Sequence, residues 1–189
     1  MRNAVILHWL TYEHEYYSDE YPAGSDANWL PWLQKRLMMN DIKADTPEVT
    51  RPFDFDYASW VREIERYDIT SQTTLVGLSM GSGFWVRYLS EHPEIEVDRV
   101  FLVAPWLNVH GEEATDFFEF EIDPGVVARA RNGVTIFTSD NDRFESLDSV
   151  ALLREKLPDA AVRVFPGYGH FALKDLGTEA FPELLEAIL

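Results

Sequence analysis

Short apolar runs rich in β-formers alternate with helical periodicity along the whole chain, the pattern of a parallel sheet covered on both faces. Six strands are predicted, at Ala4 to Leu7, Ile42 to Ala44, Thr73 to Leu78, Val100 to Ala104, Val134 to Thr138 and Val162 to Phe165. Between them run apolar stripes at helical spacing. One is Trp29, Trp32, Leu33 and Leu37, with Pro31 in the first turn, where proline is tolerated. Others are Trp60, Val61, Ile64 and Tyr67; Phe84, Trp85, Tyr88 and Leu89; and Leu147, Val150, Ala151 and Leu157. The clearest closes the chain: Phe181, Leu184, Leu185, Ile188 and Leu189 repeat at i, i+3, i+4, i+7 and i+8. The expected architecture is three-layer α/β, with a mainly parallel sheet of about six strands.

Two stretches interrupt the alternation: Trp9 to Ala27, long and polar, and 105–125, aromatic and acidic. Loops of this kind often line sites. No repeat or Pro/Gly/Ser linker divides the chain, so 1–189 reads as a single domain, in which 105–125 is either a small lid insertion or aromatic packing over the sheet end. At 189 residues and 46% apolar content, such a domain has enough material for a large core.

Composition then narrows the partners. With 16 Lys and Arg against 33 Asp and Glu, the net charge is −17, which repels nucleic-acid phosphates and anionic membrane surfaces. No apolar run approaches the roughly 20 residues of a membrane helix, and Asn3 to Leu7 is too short for a signal peptide. Cysteine is absent, which excludes disulfides, thiolate metal sites and a cysteine nucleophile and fits a cytoplasmic location. No metal or organic cofactor is expected, and nothing in the sequence marks a protein partner.

The segment that carries chemistry is Val76-Gly77-Leu78-Ser79-Met80-Gly81, where Gly-x-Ser-x-Gly joins a buried strand to an amphipathic helix. In such a nucleophile elbow the serine sits on a sharp, strained turn, and the glycines let strand and helix approach. The bland alternative is that Ser79 simply caps the helix. A serine nucleophile needs a base, and of five histidines His170 stands out, in Gly167-Tyr168-Gly169-His170-Phe171 after the last strand. His8, His14, His92 and His110 read as structural or surface histidines. The carboxylate that would orient the base is Asp142 in the turn after the fifth strand, with Asp140 and Asp148 as the alternatives.

Together these residues resemble the small α/β-hydrolases, and more narrowly the YdeN and retinoblastoma-binding-protein-type serine hydrolases. The landmarks are Val5-Ile6-Leu7-His8, Trp29-Leu30-Pro31-Trp32-Leu33, Gly77 to Gly81, Leu102-Val103-Ala104, Asp140-Asn141-Asp142 and Gly169-His170-Phe171. The resemblance implies an α/β-hydrolase-like fold in which Ser79 is nucleophile, Asp142 the orienting acid and His170 the base. Such proteins usually carry glycine after the first-strand histidine, whereas this chain reads His8-Trp9-Leu10. The oxyanion donors are expected to be the backbone N–H groups of Met80 and Trp9, with Leu10 as second choice. Leu10, Trp106, Phe117 and Phe118 are the expected substrate-binding residues. The implied activity is carboxylic ester hydrolysis through an acyl-enzyme on a small or apolar acyl ester. The alternative is a catalytically weak or inactive hydrolase-fold module that binds a protein; a nucleotide binder is disfavoured, since no glycine-rich phosphate loop follows the first strand.

Overall fold

The computed structural model describes residues 2–189. Six strands, β1 (Asn3–Leu7), β2 (Lys43–Asp45), β3 (Thr73–Leu78), β4 (Arg99–Val103), β5 (Val134–Ser139) and β6 (Ala161–Phe165), form one sheet in the order β2-β1-β3-β4-β5-β6. Every neighbouring pair is parallel, so each connection must cross over a face of the sheet. The helices are α1 (Glu13–Tyr16), α2 (Leu30–Met38), α3 (Tyr57–Ile64), α4 (Met80–Glu91), α5 (Val126–Arg129), α6 (Phe144–Lys156), α7 (Leu173–Leu176) and α8 (Pro182–Ile188).

The two-residue period of the strands divides the core cleanly. Val5, Leu7, Leu75, Val100, Leu102 and Ile136 face a layer built from Trp60 and Ile64 of α3, Phe84 and Trp85 of α4 and Leu153 of α6. Ala4, Ile6, Val76, Leu78, Phe101, Val103 and Phe137 face the other way, toward Trp29, Leu33 and Leu37 and toward Phe181, Leu184 and Ile188 at the C-terminus. Trp29, Trp60 and Trp85 are all fully buried, and each large side chain taken from water contributes roughly 1.5–3 kcal/mol. The three-layer α/β architecture expected from the sequence is therefore present, with a sheet that is wholly parallel.

The predicted and observed elements differ in instructive ways. Most strand ends move by one residue, because the ladder begins where a backbone partner exists: β2 starts at Lys43 opposite Asn3, and Ile42 is buried just before it. The inward face of α6 is turned relative to the predicted stripe. Ala151 is exposed, while Ser146, Ser149, Val150 and Leu153 are buried. Ser149 is satisfied there, accepting from Leu107 N at 3.0 Å and donating to the Glu145 carbonyl at 2.7 Å. Leu189, counted in the terminal stripe, is 53% exposed.

Candidate active site

The order in which strands are added to the sheet reverses between β1 and β3, since β2 lies on one side of β1 and β4 to β6 lie beyond β3. Crevices outside the carboxyl ends of strands open at such a switch point. A cavity of about 690 Å³ is found there, lined among others by Trp9 and Leu10 after β1, Ser79 after β3, Trp106 after β4, Ser146 on α6 and His170 after β6.

Ser79 occupies the left-handed half of conformational space, at φ 55° and ψ −112°, a strained geometry for a residue with a Cβ. The surrounding backbone holds it. Ser79 N–H donates to the Val103 carbonyl at 2.9 Å, and its own carbonyl accepts from Ser82, Gly83 and Trp106 at 3.0–3.2 Å. Ser82 Oγ adds bonds to the Gly77 and Val103 carbonyls. A Cβ at Gly77 would strike the backbone of Gly81 and Ser82, and one at Gly81 would lie 2.7 Å from the His8 carbonyl oxygen. The two glycines thus let α4 begin hard against β3 and the end of β1. Although Ser79 precedes the helix, its side chain forms no capping bond, so the hydroxyl is left to the cavity. It has no hydrogen bond to His170 in this structure; the two residues meet across the same open space.

His170 is held with more constraints. Asp140 Oδ1 accepts from Gly167 N at 2.8 Å, Asn141 Oδ1 from Gly169 N at 2.8 Å, and Asp175 Oδ2 from His170 N at 3.0 Å. The Trp29 indole donates to the Phe171 carbonyl at 3.1 Å, which ties the Trp-Leu-Pro-Trp-Leu segment directly to the histidine loop. Of the three candidate carboxylates, Asp142 meets the imidazole, with Oδ1 2.8 Å from Nδ1. Asp140 instead pins the loop, and Asp148 pairs with His110 at 2.6 Å on the surface. Asp142 Oδ1 also accepts from Arg143 N at 2.7 Å, while Oδ2 is buried without a partner among the described residues.

A second serine, not anticipated from the sequence, lies at the same imidazole: Ser146 Oγ is 3.4 Å from His170 Nδ1. That nitrogen already faces Asp142, so Ser146 sits on the orienting side of the ring and not on the side that would take a proton from a nucleophile. The only hint in the sequence was a serine placed four residues after the acid, on the helix that follows it.

His8 is also fully buried, yet it is closed off. Its Nδ1 lies 2.7 Å from the Trp9 carbonyl and its Nε2 accepts from Val49 N at 3.2 Å, a pairing that requires the neutral ring with the proton on Nδ1. Burial lowers its pKa, with Glu48, 3.9 Å away, opposing that shift. Trp60 packs on the ring.

The expected substrate-binding residues separate. Leu10 and Trp106 line the cavity; Phe117 and Phe118 do not. Phe117 is 0% exposed and packs edge-on to Tyr57 and Trp60, so its apolar surface belongs to the core. Phe118 supports Trp106 from outside the cavity, at a ring separation of 5.0 Å. The 105–125 segment is fastened at its middle, because Arg87 Nη1 donates to the carbonyls of Asp116 and Phe117, both at 2.8 Å, while its guanidinium lies over Tyr57. Among the described residues no cluster of three or more His, Asp or Glu side chains is arranged to hold a metal, and no helix is long and apolar enough to cross a membrane.

Comparison with known proteins agrees with this architecture. The family described as Serine hydrolase matches residues 20–188. The Bacillus subtilis (strain 168) protein YdeN is 26% identical over 178 residues, covering 89% of this chain and 90% of YdeN. The crystal structure of the ydeN gene product superposes with a TM-score of 0.79 at 20% identity, covering 100% of this chain and 97% of that one. Est1E from Butyrivibrio proteoclasticus, also solved with ferulic acid bound, superposes at 0.66 with 14% identity over 99% of this chain and 88% of its own. The esterase EaEST from Exiguobacterium antarcticum superposes at 0.60 with 16% identity over 100% and 90%.

Proposed function

Because the chain belongs to the serine hydrolase family, we propose that it is a carboxylesterase using Ser79, His170 and Asp142. The observation that carries this reading is the 2.8 Å bond between His170 Nδ1 and Asp142 Oδ1, formed on a ring that borders the cavity into which Ser79 opens. With Nδ1 committed to the acid, Nε2 is the nitrogen left to act as base. Ser79 Oγ attacks the ester carbonyl carbon as its proton passes to Nε2, and Asp142 stabilises the imidazolium. The tetrahedral intermediate collapses, His170 protonates the departing alcohol, and an ester bond now joins the acyl group to Ser79. Water, deprotonated by His170, releases the acid and restores the hydroxyl. Substrate arrival closes the open Ser79–His170 contact, as is common for catalytic bonds that are long in the free enzyme.

Met80 opens α4, where the first N–H groups have no intrahelical acceptor, and so supplies one oxyanion donor. For the second donor, the peptide geometry favours Leu10 over Trp9. His8 draws the Trp9 carbonyl inward, and in a trans peptide the N–H of the next residue points the opposite way. Leu10, itself a cavity-lining residue, therefore carries the N–H that His8 aims. The Trp9 ring acts as a wall. Trp9, Leu10 and Trp106 favour an apolar acyl group, and the 105–125 segment serves as a fixed wall through Trp106 in place of a hinged lid. Glu15, Glu112, Glu113 and Glu145 outnumber Arg143 and Lys174 around the cavity, which disfavours phosphorylated and coenzyme A substrates.

Short chromogenic acyl esters test the reading. The expected result is turnover that falls at least about a thousandfold in Ser79→Ala with an unchanged fold. Absence of turnover across a series of acyl lengths would favour a binding module on the hydrolase scaffold.

A further inference from the structure

Ser146 is 2% exposed, in the first turn of α6, at the wall of the cavity beside His170. A buried helical serine usually satisfies itself by bonding to a carbonyl one turn back. Ser149 does so, on Glu145. Ser146 does not; the contact its hydroxyl makes is with His170 Nδ1, at 3.4 Å. That nitrogen has a single in-plane position for a proton, directed at Asp142 Oδ1. Ser146 Oγ is thus the longer acceptor of a shared Nδ1–H, and its own proton is free to turn elsewhere.

We propose that Ser146 is a positioning residue for the acid–base pair: its oxygen shares the Nδ1 proton of His170 with Asp142. This inference rests on the hydrolase reading above. The Ser146 dipole matters most when His170 is an imidazolium, because the charge on the Nδ1–H then grows. It acts through His170 and does not touch the reacting carbonyl. Ser146 is a poor nucleophile in this setting, since it would have to break the histidine's bond to Asp142 to deliver a proton.

The test compares Ser146→Ala, Ser146→Cys and Ser146→Thr with the unmodified protein. Loss of one net hydrogen bond predicts that kcat falls about three- to tenfold in Ser146→Ala with KM unchanged. The acidic limb of kcat/KM should move to lower pH, because the imidazolium loses an acceptor. Ser146→Cys, near in size but a weak hydrogen-bonding group, should match Ser146→Ala and guards against a packing defect; Ser146→Thr should recover most of the rate. A readout free of turnover is the downfield Nδ1–H resonance of His170, which should exchange with solvent faster in Ser146→Ala and Ser146→Cys. Unchanged kcat, pH limb and exchange would overturn the proposal, as would a loss confined to KM. If the unmodified protein hydrolyses no ester, the hydrolase reading fails, while the exchange measurement still judges Ser146. If Ser146→Ala abolishes turnover and Ser79→Ala does not, Ser146 is the nucleophile and both readings fall.

Discussion

Two histidines lie buried near the carboxyl edge of the sheet, His8 after β1 and His170 after β6, and almost nothing about their burial distinguishes them. What separates them is the use of the second ring nitrogen. His8 gives one nitrogen to the Trp9 carbonyl and the other to Val49 N–H, so the ring is closed to chemistry and works as a backbone clamp. His170 gives one nitrogen to Asp142 and presents the ring to the cavity. A buried histidine can act as a base only where the fold leaves one of its nitrogens open, and the proposed role of His170 rests on that difference.

The largest effect that can break this contrast is on rate. His170→Ala should reduce ester turnover by at least about a thousandfold with little change in melting temperature; a His170 variant that stays active would make the two histidines equivalent. Next comes the acid: Asp142→Asn should cost a hundred- to about ten-thousandfold in kcat by fixing the wrong tautomer. Asp140→Asn, which touches only the loop at Gly167, should cost a few-fold at most. Equal losses in the two variants would remove Asp142's special place.

His8 is expected to show itself in stability. Its pKa in the folded protein is lowered, so the unfolded chain binds the proton more readily and the stabilisation from the neutral ring is present above the ordinary histidine value of about 6.5. It is lost as the pH falls below that value toward the lowered folded-state pKa, because a proton on Nε2 confronts Val49 N–H. Denaturant unfolding at a series of pH values should therefore show an acid loss that His8→Gln reduces, and a pH dependence identical in the two proteins would reject the clamp. The smallest effect is on specificity: Trp9→Gly should widen the range of acyl groups accepted, and an identical substrate profile would show that the ring does not shape the cavity.

How far the sequence carries this account depends on the kind of signal. Strand and helix placement rests on periodicity, and six strands emerged near their observed ends because runs such as Thr73 to Leu78 are buried on both faces. The elbow and the loop at His170 were legible because glycine and chain order mark tight turns in a way that tolerates few alternatives. Phe117 was ambiguous, since a phenylalanine in an acidic loop reads the same whether it lines a cavity or enters the core, and its full burial against Tyr57 and Trp60 distinguishes the two. Ser146 was invisible for the opposite reason: an inward serine breaks the apolar stripe of α6, and its partner is 24 residues away in sequence. The inward turn of the Trp9 carbonyl, on which the proposal of Leu10 as second oxyanion donor rests, depends on a ring tautomer that no pattern of residue types encodes.

The central claim, that Ser79 is the nucleophile served by His170, is tested most directly by reacting the native protein with a fluorophosphonate and mapping the modified peptide. The account predicts one covalent adduct, on Ser79, lost in Ser79→Ala and strongly slowed in His170→Ala. An adduct on Ser146, or none under conditions that label another serine hydrolase, would contradict it.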